Sequence, residues 1–226
     1  DIDNGLYHCH HCVWNGNVKF KKKKEYIIPS KINTNLNERI VSWFNNRGIS
    51  ESTLLHFKIG ESIEYIPQLK VKRRVINFNY YRDNQIVNIK FRDGEKNFKL
   101  VSGAELIFYG LNNIKDSEIC YIVEGEMDAL AMFEAGLYSV VSVPNGANKG
   151  NQKLDYLDNC YEYFKNKTKI VLCTDNDEAG LSLRNELARR FGSHRCKYVE
   201  FEEFKDANEV LVEKGGEYLR KLIQGA

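Results

Sequence analysis

The 226-residue chain has no apolar run approaching the length of a membrane span, which argues against a helical membrane protein. It has no Gly-x-x-x-x-Gly-Lys-Ser/Thr phosphate loop, so this stretch is not itself a nucleotide-hydrolysing motor. No internal repeat is found. The six cysteines do not make a disulfide framework. Cys120 and Cys173 fall in apolar strand candidates and, with Cys160 and Cys196, read as free thiols in a reducing compartment. No signal-peptide pattern opens the chain, and its first residue is Asp1 rather than Met, so a fragment or processed product is expected. A large net charge is lacking too: 33 Lys+Arg against 31 Asp+Glu leave +2. That near-balance hides an uneven distribution. Residues 1–100 hold 18 Lys+Arg against 10 Asp+Glu, and residues 101–226 hold 15 against 21. A basic half joined to an acidic half suits a protein that holds polyanion on one side and metal on the other.

What the second half has is carboxylate at telling places. Three clusters read Glu124-Gly125-Glu126-Met127-Asp128, Asp175-Asn176-Asp177-Glu178-Ala179-Gly180 and Asp206-Ala207-Asn208-Glu209. They follow the apolar runs Ile119–Val123, Ile170–Cys173 and, less cleanly, Tyr198–Phe201, and they open helix-like segments. Strands alternating with helices predict a parallel sheet, whose ligands bind beyond the carboxyl ends of its strands. Distant carboxylates would then gather along one edge, in the all-oxygen arrangement that Mg²⁺ takes together with substrate phosphates. The pattern points to phosphoryl-transfer chemistry. The competing reading is helix capping, since Asp206 and Glu209 have capping-box spacing and acids favour a helix's first turn. Asp175 and Asp177 resist it. On a strand continued through them they would share one face, a costly like-charge pair unless a cation lies between.

Upstream, Cys9-His10-His11-Cys12 is one Cys-x-x-Cys knuckle where tetrahedral zinc normally takes two. We read it as the second half of a zinc ribbon, residues 1–20, with its first half cut away. Residues 21–37, opening on Lys21–Lys24, read as a linker. Helices are expected over Glu38–Asn46 and, capped by Ser50, over Glu51–Phe57. Val75–Tyr81, Ile86–Arg92 and Asn97–Val101 then read as a small antiparallel meander carrying Lys90, Arg92, Lys96 and Lys99. Beyond Glu118 the spacing predicts a helix over Met127–Glu134, a strand over Ser139–Val143, a helix over Gln152–Phe164 and a strand over Lys169–Cys173. A helix over Leu181–Phe191, a strand over Lys197–Phe201 and two short helices complete the pattern. The expected architecture is α+β or α/β: a basic antiparallel subdomain (38–117) followed by a βα domain with a mainly parallel sheet (118–226).

In that order, EGEMD, DNDEAG and the Lys-Asp-Ala-Asn-Glu of 205–209 resemble the Toprim domain, the metal-binding fold of bacterial-type primases and topoisomerases. The segment NIKFRDGEKNFK (Asn88–Lys99) resembles the basic motif of primases fused to ring helicases in T-odd phages. HCHHCVWNGNVKF resembles the second knuckle of their zinc ribbon. The resemblance implies a DNA-dependent RNA primase, with a single-stranded DNA template, nucleoside triphosphates and an RNA primer as partners and a helicase domain in the parent chain. It implies Mg²⁺ or Mn²⁺ held by Glu124, Asp175, Asp177 and Asp206, and Zn²⁺ at Cys9 and Cys12 in the intact protein. Glu124 matches the acid taken as general base or metal organiser; Glu126 and Asp128 match positions of less certain role. Lys90 and Lys96 match lysines thought to hold the nucleotide or primer phosphates, with Arg92 and Lys99 from the same basic segment. A solvent-facing strand fits Lys90 and Arg92 equally well on alternation alone. A bacterial or phage-infected cytoplasm, or an organellar matrix, would be the setting. The alternatives are a Toprim nuclease and a catalytically spent DNA-binding module.

Overall fold

The computed structural model describes residues 24–29, 33–147 and 154–225, with the backbone of two short antiparallel strands, β1 (Leu6–His8) and β2 (Asn15–Asn17). The Cys9–Cys12 knuckle lies outside the described residues. So do Lys21–Lys23 and the first two residues of the helix expected from Gln152.

Helix α1 (Glu38–Asn45) starts where Asn37 caps it, the side-chain oxygen accepting from the Ile40 N–H at 3.0 Å. Helix α2 (Glu51–His56) follows Ser50, whose side chain makes no capping bond. Its hydroxyl and N–H instead donate to Glu134 Oε1 at 2.6 and 2.7 Å, tying α2 to a helix far along the chain.

The meander has four strands, β3 (Gly60–Ile66), β4 (Val71–Arg82), β5 (Gln85–Arg92) and β6 (Phe98–Leu100), paired antiparallel in sequence order. Strand β3 escapes sequence reading because it is an edge strand, mostly half-exposed, and needs no apolar alternation. The β4–β5 hairpin turns on Asp83-Asn84, with Asp83 in the left-handed region (φ 53°), which Asp tolerates. Ile89 and Phe91 join Ile66 and Val75 in a small core on one face, with Ile86 brought to it by the register shift opposite Tyr80 and Tyr81. Period 2 beyond that shift sends Asn88, Lys90 and Arg92 to the other face, and all three are buried there. The solvent-facing reading of Lys90 and Arg92 is thus overturned.

That face meets a second sheet. Its elements run β7 (Ile119–Val123), α3 (Glu126–Glu134), β8 (Val140–Ser142), α4 (Asp155–Asn159), α5 (Tyr161–Phe164), β9 (Lys169–Cys173), α6 (Glu178–Phe191), β10 (Cys196–Tyr198), α7 (Ala207–Lys214) and α8 (Gly216–Gln224). The strand order is β10-β9-β7-β8 with every pairing parallel. Central strands buried on both faces read as continuous apolar runs, as Ile170–Cys173 does. Two expectations shift: the helix expected to Phe164 breaks at Cys160, and the last strand stops at Tyr198. Strand β9 ends at Cys173 as expected, so Asp175 and Asp177 do not share a strand face.

One core joins the two sheets. Tyr109 packs against Phe57, Phe78 and Tyr80 with ring centroids 5.1–5.8 Å apart, and its backbone bridges to Ser142 of β8. Cys120, Cys160, Cys173 and Cys196 are free and buried, and burial holds the Cys160 thiol up at about 12, so these sulfurs pack rather than react. Among the described residues no helix is long and apolar enough to cross a membrane.

Candidate active site

The chain leaves β7 for β8 on one side, then returns to β9 and β10 on the other. Beyond the carboxyl ends of the strands, this reversal opens a crevice. Glu124 directly follows β7, and Asp175 lies two residues past β9. Glu124 Oε1 accepts from the Ala147 N–H (2.9 Å), behind β8, and Oε2 accepts from the Asp175 N–H (3.3 Å). One carboxylate so links the ends of three strands.

Two residues apart at the start of α3, Glu126 and Asp128 point to different sides: Asp128 turns toward Glu124 and Asp175, and Glu126 faces the antiparallel sheet. Asp128 is buried, with Oδ1 accepting from the Asn208 N–H at 3.1 Å. A Cβ on Gly125 would lie 2.8 Å from Asp128 Oδ2, so a larger residue there would displace that carboxylate. Asn208 also donates to Arg47 O (3.0 Å), anchoring α7 to the turn after α1. Asp177 caps α6 and Asp206 caps α7, each accepting from an N–H three residues on at 2.9 Å. The capping reading is therefore right as geometry, and each cap bond uses one carboxylate oxygen and leaves the second.

Electrostatically these acids form one cluster. Burial first, then Glu124 and Asp206, push Asp175 up to about 7, against the Lys205 ammonium 3.6 Å away. Burial, then Asp206, Asp175 and Glu124, hold Asp128 well above the usual carboxylate range. Burial raises Glu124 against the two N–H groups that bind it. An all-oxygen set whose repulsion a divalent cation would relieve fits Mg²⁺ in kind. Among the described residues, no three His, Cys, Asp or Glu side chains already stand in an ion-holding arrangement. The donors match a hard cation in chemistry and are not drawn around one point.

A pH effect follows. Asp175 is raised in the fold, so its contribution to stability is complete below its ordinary value near 3.8 and is lost as pH rises through about 7. Asp128 acts in the same direction. In chelator-containing buffer the melting temperature should fall between pH 5 and pH 8, and Mg²⁺ should raise it more at pH 8 than at pH 5. A profile flat in pH and indifferent to Mg²⁺ would remove the coupled-acid description.

The four basic residues separate. Lys90 Nζ pairs with Glu126 at 2.8 and 3.0 Å, both groups buried, and the Tyr80 hydroxyl donates to the same carboxylate. Arg92, 8% exposed, lies 4.7 Å from the Trp43 ring centre, and Arg47 lies 3.8 Å from it. Arg92 and Trp43 line a cleft of about 530 Å³ together with Ile40 and Arg74. Lys99 is in register with Phe91, so it points to the opposite face, where it pairs with Glu64 at 3.0 Å. Lys96 stands exposed on the turn before β6. Lys90 and Arg92 are thus brought toward the acids, and Lys99 is not. Sequence reading singled out no role for Arg47, Lys205 or Asn208. The signal for Lys205 and Asn208 was their place within the 205–209 motif; Arg47 carried none.

Residues 121–211 match the Toprim-like family model. The chain is 40% identical over 169 residues to the Primase homolog protein of Arabidopsis thaliana, covering 67% of this chain and 50% of that one. It is 37% identical over 211 residues to the Twinkle homolog protein, chloroplastic/mitochondrial, of Arabidopsis thaliana, covering 84% of this chain and 28% of that one. The chain therefore spans half or less of the length of these curated relatives. In fold it is similar to the primase fragment of the bacteriophage T7 primase-helicase protein, with a TM-score of 0.68, 24% identity, and coverage of 97% of this chain and 91% of that one. A parallel sheet with acids at its switch point, an antiparallel basic sheet packed on it and these relatives agree: the chain carries a Toprim-like domain and is related in sequence to DNA primases of the phage primase-helicase type.

Proposed function

We propose that this chain is a primase core that joins ribonucleotides on a single-stranded DNA template by metal-dependent nucleotidyl transfer. The observation that carries the reading is the acid crevice at the β7/β9 reversal, with Lys90 and Arg92 turned inward beside it. In this reaction a ribose 3′-hydroxyl attacks an α-phosphate and pyrophosphate leaves. Glu124, Asp175, Asp177 and Asp206 would hold Mg²⁺ or Mn²⁺, which supplies activation of the hydroxyl and neutralisation of phosphate charge. Glu124 is already oriented by two backbone N–H groups, so it needs little reorganisation to act. Lys205, beside Asp175, balances part of the cluster's charge while no cation is bound. Lys90, Arg92 and Lys96 would place positive charge where the phosphates lie. Cys9 and Cys12 remain a proposed zinc half-site.

The test is extension of a supplied RNA primer on a DNA template with Mg²⁺ or Mn²⁺, run beside a nuclease assay on single-stranded DNA. Extension without cleavage is expected. Cleavage without extension would replace this reading with a nuclease.

Template affinity should weaken steeply as salt rises, because phosphate contacts release counterions. Arg73 and Arg74 are held by Glu95 and Glu61 in surface pairs that are weak and exchangeable. Lys96→Ala should reduce the slope of log affinity against log salt by about 1. Affinity indifferent to salt would take the basic sheet out of the template path.

A further inference from the structure

Of the three carboxylates in Glu124–Asp128, Glu126 alone turns from the crevice. It is 4% exposed and accepts from Lys90 with both oxygens and from the Tyr80 hydroxyl with Oε1. Tyr80 and Lys90 stand on adjacent antiparallel strands, β4 and β5, whereas Glu126 opens the first helix of the parallel-sheet domain. The bonds therefore cross the seam between the basic sheet and the acid crevice. An ammonium has three donors, and two of Lys90's are spent on Glu126.

We infer that Glu126 is a positioning residue: it clamps the Lys90 ammonium over the seam, leaving one N–H for a substrate phosphate and keeping the pair neutral until that phosphate arrives. The inference rests on the primase reading. Its physical content is a division between ground-state affinity and orientation. A carboxylate behind Lys90 repels an incoming phosphate, so the clamp weakens anion binding while fixing the ammonium where leaving-group charge develops. Removing the carboxylate charge should then tighten anion binding and slow turnover together. A residue that merely held the fold would weaken both.

The measurements are kcat and KM for nucleotide in primer extension, affinity for template DNA, and equilibrium binding of inorganic triphosphate. The chains are wild type, Glu126→Gln, Lys90→Met, the double variant and Tyr80→Phe, each checked by melting. Glu126→Gln is expected to bind triphosphate about tenfold tighter, from the loss of one negative charge behind the ammonium. Its kcat should fall by about tenfold, a division between KM and kcat that identifies transition-state placement. In the Lys90→Met background the same substitution should no longer lower kcat, because no ammonium is left to orient, so the two effects on kcat are non-additive. Tyr80→Phe keeps the charge and frees the carboxylate, so kcat should drop severalfold with KM unchanged. It also serves where Glu126→Gln does not stay folded. A lower KM for nucleotide with template affinity unchanged assigns the phosphate to the triphosphate; the reverse assigns it to the nucleic-acid backbone. Additive effects, or folded Glu126→Gln and Tyr80→Phe chains with wild-type constants, would overturn the inference. A wild type that makes no primer would sink the primase reading alone, because triphosphate binding still reports the clamp.

Discussion

Asp175→Asn should lower primer synthesis by about a thousandfold, the scale on which removing one preorganised electrostatic group is felt. Asp177→Asn should be similar in effect. The folds should persist. An asparagine oxygen at 177 still accepts from the Gly180 N–H, so α6 keeps its cap. Asparagine at 175 removes a charge that burial, Glu124 and Asp206 all oppose. Metal-free Asp175→Asn should therefore melt higher than wild type at pH 8 and about equally at pH 5. Mg²⁺ should raise its melting temperature less. A stabilised, inactive variant separates a functional carboxylate from a structural one. Near-wild-type synthesis by both variants would mean that these acids only open helices.

Gly180→Ala should produce the largest loss of stability of any single-methyl addition near the site. A Cβ at 180 would stand 2.2 Å from the Asp175 carbonyl oxygen and 3.0 Å from its backbone carbon and nitrogen. Backbone cannot turn aside as a side chain can. Either α6 moves away from the loop, at a cost of about 3 kcal/mol for overpacking, or the Asp175 loop shifts. The Glu124–Asp175 contact at 3.3 Å cannot survive a shift of that loop by an ångström. The measurements are chemical denaturation together with primer extension: a lower midpoint and a loss of synthesis are expected. Unchanged values in both would show that α6 and the loop are looser than the contact implies. The control is Gly94→Ala, where an added Cβ meets nothing within 4 Å.

The glycine of DNDEAG shows how far the sequence could be read. Its place in the motif was visible, and its reason, a backbone approach by Asp175, was not. Helix α1, α2 and the strands Ile119–Val123 and Lys169–Cys173 were readable because short-range periodicity and capping carry their own signal. Strand β3 was not, since an edge strand is chosen by its neighbour's free backbone groups and not by its own side chains. Strand β9 ends where its apolar run ends, and Asp177 serves as the α6 cap instead of extending the strand.

The sequence by itself determined the architecture, the acid clusters and the basic segment, because each is written in residues close together along the chain. Which face each charge takes was decided only by the tertiary structure. Alternation says that Lys90 and Arg92 share a face and cannot say which; packing of β4 and β5 on Tyr109 turned it inward. Helix spacing says that Glu126 and Asp128 point to different sides; only the docking of the two sheets brought Lys90 and Tyr80 to Glu126. A buried charge takes the partner the fold delivers, because an unpaired one inside costs more than the local chain can repay.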